Sequence, residues 1–455
     1  MREQLSGRLG FLLVAAGCAI GLGNIWRFPF IAGEYGGGAF VLIYLLAMVF
    51  LGLPILVMEF SIGRAGRLNI VGALRELEPE GSKWHIWGYL AIGGNYLLMM
   101  FYTVICGWVL FYFWSAMTGG LIGLSPQQVG GVFGSLLQNP WKMSFWMGLT
   151  VFSGFFICAI GLVKGVERVT KIMMAGLFIL LLILAARALT LPGAAEGISF
   201  FLKPDFGRMM EKGLWVCIYA AMGQAFFSLS LGIGCMAIFG SYIDREQRLA
   251  GESVNVAILD TAASLLAGII IFSACFAFGV DVAAGPGLAF IALPNVFNHM
   301  VGGYFWATLF FLLLSLGALT TVVAVFENII AFSKENLGWS RRKACVLNAL
   351  IIFFGSLPCI LGFNILSGIE PMGPGSNILS LQDFIVSKNL LPLGGLIFVL
   401  FCCHRYGWGW DKFIDEANQG EGMKFPRILR FYFAYILPIV MLVILVQGYR
   451  EIFKF

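Results

Sequence analysis

The segment Ala16-Gly17-Cys18-Ala19-Ile20-Gly21-Leu22-Gly23-Asn24 sits in the middle of an apolar run from 10 to 34, and Ser228-Leu229-Ser230-Leu231-Gly232-Ile233-Gly234 sits inside another from 213 to 239. Each run is long enough for a membrane span, which needs about 20 apolar residues. Each is also interrupted by glycine, which costs a helix roughly 1 kcal/mol relative to alanine. Backbone groups freed at membrane depth are tolerated only where they face protein or a watery cavity. Taken alone, Gly17 and Gly21 at a four-residue spacing read more readily as a helix-contact stripe than as a break. Recurrence changes the reading: the breaks fall in the first and sixth of eleven runs, the pattern of two inverted five-helix repeats around a midplane site.

The eleven runs lie at 10–34, 39–62, 86–118, 144–162, 166–190, 213–239, 253–280, 304–333, 344–362, 380–402 and 428–449. They account for a composition of 60% hydrophobic and 12% charged residues over 455 positions, against about 25% charged in soluble proteins. A large soluble catalytic domain is excluded, and a net charge of +5 does not point to nucleic acid. With the N-terminus in the cytoplasm, the cytoplasmic connections hold Arg64, Arg67, Arg75 and Lys83, then Lys164, Arg168 and Lys171, then Arg245 and Arg248, then Lys334, Arg341, Arg342 and Lys343, then Arg405, Lys412, Lys424 and Arg427. The opposite connections hold mainly Lys142, Lys203, Arg208 and Lys212, and 281–303 and 363–379 hold none. The positive-inside rule therefore selects this orientation, and an odd number of spans places the C-terminus outside.

The ten cysteines lie almost wholly in apolar runs, where a thiol behaves as a small hydrophobe, so no disulfide framework is expected. The adjacent Cys402 and Cys403 lack the spacing of a zinc site. The three histidines, His85, His299 and His404, lie near span ends or in loops and form no Ser-His or His-Asp pair, which argues against an enzyme. Two asymmetric breaks argue against a channel, which needs a ring of like groups.

Several stretches appear together and in order: Arg8-Leu9-Gly10; Gly21-Leu22-Gly23-Asn24-Ile25-Trp26-Arg27-Phe28-Pro29; Gly36-Gly37-Gly38-Ala39-Phe40; Gly52-Leu53-Pro54 and Met58-Glu59 with Gly63-Arg64; Tyr102 with Trp108; Gly223-Gln224-Ala225-Phe226-Phe227 running into the sixth-span break; and Ala318-Leu319-Thr320-Thr321. This set resembles the signature of the neurotransmitter:sodium symporter family over nearly the whole chain. The resemblance implies an all-α polytopic protein of the leucine-transporter fold, with inverted five-helix repeats and 11 transmembrane helices, helices 1 and 6 being broken at the midplane. The first repeat would occupy 1–190, the second 191–402, and 403–455 would hold a cytoplasmic loop and helix 11.

The resemblance also assigns sites. A first sodium would take the Ala19 carbonyl, Asn24, Ser228, Asp260 and the substrate carboxylate; a second would take the carbonyls of Gly17, Ile20 and Gly317 with the hydroxyls of Thr320 and Thr321. Alone, the threonine pair reads as hydroxyls bonded back to their own helix. Helix N-termini favour a carboxylate and C-termini an ammonium, which suits a zwitterion. The resemblance implies Leu22 and Gly23 N–H groups with Tyr102 at the carboxylate, and Ala19, Phe227, Ser228 and Ser230 at the amine. Leu98, Tyr102, Phe227, Ile233, Thr321 and Val325 would line an apolar side-chain pocket, with Cys18 beside it. Relatives that transport monoamines carry aspartate at the position of Gly21, so an α-amino acid is expected here.

Charges at membrane depth are functional by default. Arg27 and Asp383 match the outer gate of the family, Arg2 and Glu335 with Tyr242 the inner gate, and Glu59 a buried acceptor for backbone N–H groups. Asp260 alone could be a structural acid, but it falls beside the first sodium site, where chloride-independent members supply a carboxylate; chloride is therefore not expected to be required. Leu5 replaces a tryptophan of the inner plug, and Ala175 replaces the proline of a Gly-x9-Pro motif begun by Gly165. The expected activity is symport of a neutral hydrophobic amino acid with two Na+ by alternating access, in the lipid bilayer of a plasma (inner) membrane. The alternative is a sodium-coupled carrier of another small amine or a zwitterionic osmolyte. The oligomeric state is left open.

Overall fold

The first apolar run folds as two helices, Arg8–Ala19 and Gly23–Glu34, bent by 49° in a computed structural model that describes residues 3–282 and 287–453. Ile20 leaves the helix with an extended backbone, φ −77 and ψ 100. The sixth run folds as Leu214–Ser228 and Cys235–Gly240. Between them Ser230, Gly232 and Gly234 take φ values of 52, 89 and 72. This is a left-handed conformation that glycine adopts without steric cost and serine adopts only under constraint. Gly232 is required on a second ground, since a Cβ there would run into the backbone of Leu391.

Nine further helices among the described residues are long and apolar enough to span a membrane: Gly38–Gly66, His85–Met117, Pro140–Ile160, Leu162–Leu189, Leu249–Ala277, Gly303–Asn336, Arg341–Leu361, Ile378–Cys403 and Arg427–Arg450. With the two broken ones they make eleven spans in the anticipated order. The fifth opens on a π-helical turn, Leu162–Glu167, after Gly161 at φ 125, and then runs unbroken through Ala175 from Arg168 to Leu189. Six shorter helices between the spans, Ile70–Leu77, Pro126–Leu137, Ala194–Leu202, Phe206–Glu211, Leu293–His299 and Trp410–Ala417, were not anticipated. Their starts are locally encoded all the same. Asn69 accepts from the N–H groups of Val71 and Gly72, and Ser125 forms a reciprocal cap with Gln128.

Connections 2–3, 6–7 and 10–11 meet on one face. Arg64, fully buried at the end of the second span, binds the Glu416 carboxylate at 2.7 Å and the Gln247 carbonyl at 2.7 Å. The N-terminal segment joins the same face through the Ser6 N–H, 2.9 Å from Glu167 in the 4–5 region, and through Glu3, 3.7 Å from Lys334.

The broken helices occupy the centre. Arg8–Ala19 lies against spans 5, 7 and 8, and Cys235–Gly240 lies against the second span. That last contact is backbone to backbone: a Cβ on Gly63 would meet the Ala237 carbonyl, and one on Gly240 the Phe60 carbonyl. The approach brings the buried Glu59 carboxylate onto the N–H groups of Gly232 and Met236, the second at 3.3 Å. Glu59→Ala leaves both donors buried without an acceptor and should destabilise the protein by about 3 kcal/mol. Glu59→Gln keeps an acceptor oxygen and should lose less, as read from thermal unfolding in detergent.

Candidate functional site

Two cavities stack along the molecule between the broken helices and spans 3, 8 and 10. The inner one is small, about 20 Å3, and is lined by Ala19, Gly21, Gly23, Leu98, Tyr102, Phe227, Ser230, Ile233, Thr321 and Leu391. The other, of about 300 Å3, includes Trp26, Arg27, Phe30, Phe101, Ile105, Asp383 and Lys388. Gly23, Tyr102 and Phe227 border both and so form the partition. Phe227 lies directly on the chain at Gly23, where a Cβ would be 2.8 Å from its ring. The Arg27 guanidinium lies over the same ring, 4.2 Å from its centroid. Arg27 is held by Asp383 at 2.9 Å and by Ser387 at 3.0 Å.

Of the residues anticipated for a binding pocket, Ala19, Gly23, Leu98, Tyr102, Phe227, Ser230, Ile233 and Thr321 share the inner cavity. Cys18 contributes its carbonyl, which accepts from the Ser230 hydroxyl at 3.1 Å and from Thr321 at 3.4 Å. Leu22 contributes its N–H, 3.1 Å from the Tyr102 hydroxyl, and its side chain faces the larger cavity. Ser228 belongs to a neighbouring polar cluster, and Val325 is buried without lining the cavity. Leu391 on the wall went unnoticed in the sequence; it sits in an unremarkable apolar run, and no pattern marks it.

The polar cluster is built on Asn24, at the start of the second half of span 1. Its Nδ2 faces four oxygens: Asp260 Oδ1 at 2.7 Å, Ser228 Oγ at 2.9 Å, Ser264 Oγ at 2.9 Å and the Asp260 carbonyl at 3.2 Å. An amide nitrogen has two hydrogens and can serve two of them. The surplus of oxygen suits a hard cation. Asp260 Oδ2 takes the Ser228 hydroxyl at 2.7 Å and the Tyr44 hydroxyl at 3.4 Å. All five side chains are buried. Gln224 donates to the Gly23 carbonyl at 2.8 Å and leaves its own Oε1 buried without a partner among the described residues.

A second oxygen cluster joins span 8 to the first break. Thr320 donates to the Gly317 carbonyl at 2.9 Å and lies 3.3 Å from the Ile20 carbonyl, while Thr321 lies 3.5 Å from the Gly317 carbonyl. These threonines thus bond to their own helix and to the break at once. Gly317 permits the approach, since a Cβ there would be 2.8 Å from Ile25. Gly17 packs on Thr170 and Met174, and its carbonyl is not among the hydrogen-bonded groups of this cluster. No group of three or more His, Cys, Asp or Glu able to hold a metal occurs among the described residues. The donors are neutral oxygens with a single carboxylate, a set that suits alkali ions better than zinc or copper.

At the N-terminal face, Arg2 lies outside the described residues. Glu335 accepts from the backbone and side chain of Asn69 at 2.6 and 2.7 Å, and Tyr242 donates to Glu327 at 3.2 Å. Glu327 also holds Arg341 at 2.5 Å, an ion pair that sequence reading overlooked because its members stand 14 residues apart across a span end. Leu5 is buried and borders a cavity of about 100 Å3 with Phe11 and Tyr242.

A model of the sodium:neurotransmitter symporter family matches residues 2–125 and 132–454. An uncharacterized sodium-dependent transporter of Bacillus subtilis is 35% identical over 447 residues, covering 97% of this chain and 96% of the relative. The sodium-dependent serotonin transporter of Drosophila melanogaster is 29% identical, covering 99% of this chain and 77% of the relative. The crystal structure of MhsT in complex with L-phenylalanine superposes with a TM-score of 0.90 at 39% identity, covering 98% of this chain and all of that one.

The pair Arg27 and Asp383 is partly open to solvent, with side chains 12% and 33% exposed. A double-mutant cycle with Arg27→Gln and Asp383→Asn should give a coupling of about 1 kcal/mol in unfolding, shrinking at high salt.

Proposed function

Because the chain belongs to the sodium:neurotransmitter symporter family, we propose that this sodium-dependent symporter carries a neutral hydrophobic α-amino acid with two sodium ions. The observation that carries the substrate reading is the crowding at Gly21. A Cβ there would meet Thr321 Oγ1 and lie 2.7 Å from the Tyr102 hydroxyl. That crowding disfavours a side-chain carboxylate at position 21, which supports a substrate that brings its own carboxylate to the Leu22 N–H and Tyr102. The Leu22 N–H and the Tyr102 hydroxyl stand ready for it, already bonded to each other. The Cys18 carbonyl and Ser230 hydroxyl offer acceptors for an ammonium. The side-chain walls, Leu98, Phe227, Ile233 and Leu391, carry no charge, and a charged substrate side chain buried there would cost several kcal/mol. The L-phenylalanine bound by MhsT supports the same class.

Asn24, Ser228, Asp260 and the Ala19 carbonyl would hold the first sodium, and Thr320 and Thr321 with the carbonyls of Gly17, Ile20 and Gly317 the second. Each ligand set bridges the first break and a helix beside it, so sodium pulls span 1 toward spans 7 and 8. Alternating access follows if spans 1, 2, 6 and 7 rock against the rest. Arg27 and Asp383 would close the extracellular side, and Glu335 with Tyr242 and Arg2 the cytoplasmic side, in a bacterial-type inner membrane with the basic face inward. The two inverted repeats would meet near residue 190. Two ions supply about 4.6 kcal/mol at about 100 mV, plus about 1.4 kcal/mol each for a tenfold gradient.

In proteoliposomes, an inward sodium gradient should drive accumulation of L-phenylalanine or L-leucine. Accumulation of only a monoamine or a betaine-type osmolyte would overturn the substrate reading. Asp260 supplies its own negative charge beside the first sodium, so replacing chloride by gluconate should leave uptake unchanged. Asp260→Asn should lower uptake in gluconate by about tenfold, the effect of about 1.4 kcal/mol, with partial recovery in chloride.

A further inference from the structure

Between the inner cavity and the N-terminal face, three buried polar side chains from three spans converge: Asn95 of span 3, Cys235 at the start of Cys235–Gly240, and Asn328 of span 8. Asn95 Nδ2 donates to the Ile233 carbonyl at 2.8 Å and to the Ala91 carbonyl of its own helix at 2.7 Å. Its Oδ1 accepts from Cys235 Sγ at 2.8 Å and from Asn328 Nδ2 at 3.2 Å. Asn328 Oδ1 has no hydrogen-bond partner among the described residues. Gly94 lets the segment approach, since a Cβ there would lie 3.1 Å from Ile233.

We propose that Asn95 is a positioning residue for transport: it fixes the Ile233 wall of the cavity and the start of Cys235–Gly240 against spans 3 and 8, and so holds the cytoplasmic path shut. The proposal rests on the rocking-bundle reading, in which span 6 moves relative to spans 3 and 8. Two of the four Asn95 contacts cross that boundary, to Ile233 and Cys235, and both land on the broken segment of span 6. Hydrogen bonds weaken steeply with distance and angle, so a small withdrawal of span 6 releases both together. Asn328 opposes the latch. In the closed arrangement its amide oxygen is buried and unsatisfied, which is unfavourable, and water admitted on opening would satisfy it. The cluster thus holds the path shut without making closure irreversible. Cys235 is its reporter, because its thiol is fully buried while the latch holds.

The test uses the full chain in proteoliposomes, with N-ethylmaleimide labelling of individual cysteines followed by mass spectrometry. Asn95→Ala, which removes both bonds that cross to span 6, should raise labelling of Cys235 in sodium by at least about fivefold. Cys106, buried in the same span 3, should not change. Asn328→Leu removes the unsatisfied oxygen together with the Nδ2 donor to Asn95, neither of which reaches the Ile233 carbonyl, and should leave Cys235 labelling at or below wild type. Unchanged Cys235 labelling in Asn95→Ala, an equal rise at Cys106, or increased Cys235 labelling in Asn328→Leu would each overturn the role of Asn95. Sodium-driven uptake by the wild type is measured in parallel; its absence would sink the transport reading, whereas the labelling pattern alone decides the latch.

Discussion

A backbone polar group released from a helix inside an apolar medium must find a partner, and this constraint organises the whole molecule. Two breaks at mid-depth free carbonyls and N–H groups around Ile20 and Gly232, and the surrounding side chains are placed to meet them. Glu59 takes N–H groups at the sixth-span break, Tyr102 the N–H of Leu22, and Gln224 donates to the carbonyl of Gly23. Ser230 and Thr321 reach the carbonyl of Cys18. Partners that suffice for the protein alone are also groups proposed to meet a zwitterion and sodium. Binding can therefore exchange one set of hydrogen bonds for another without leaving groups exposed.

The same constraint explains the glycines. Gly63, Gly232 and Gly240 lie where backbone meets backbone, and Gly21, Gly23 and Gly317 lie where a side chain presses on a break. Close approach removes water from the breaks and sets the broken helices within reach of spans 2, 8 and 10. A molecule packed this way moves by separating whole helices more readily than by local flexing, because interdigitated surfaces are bistable and not continuously deformable. Buried and half-buried ion pairs lie at the two ends of that contact. On one side Arg27 bridges Asp383, Ser387 and the face of Phe227; on the other Glu327 gathers Arg341 and Tyr242.

Much of this was legible in the residues. Hydropathy marks the eleven spans, because the bilayer demands apolar length, and the doubled glycine-rich interruptions mark the breaks. Short amphipathic connecting helices escape such a scan, since neither their length nor their mean hydropathy stands out. Asn24, Ser228 and Asp260 were nameable from motif order. Ser264 stands one helical turn beyond Asp260, and only the packing of span 7 against the first break brings it into the Asn24 oxygen shell. Leu391 and Asn95 lie far along the chain from what they touch and carry no local mark.

The sequence by itself determined that the chain crosses a bilayer eleven times, which two spans break, and on which face the positive charge gathers. Those are one-dimensional properties, set by composition and period within single segments. Only the tertiary structure decided which oxygens surround Asn24, that Phe227 partitions two cavities, that Gly21 has no room for a side chain, and that Asn95 ties span 3 to the broken span 6. Each of these is a distance between residues remote in sequence, fixed by how helices pack and not by what any one helix contains.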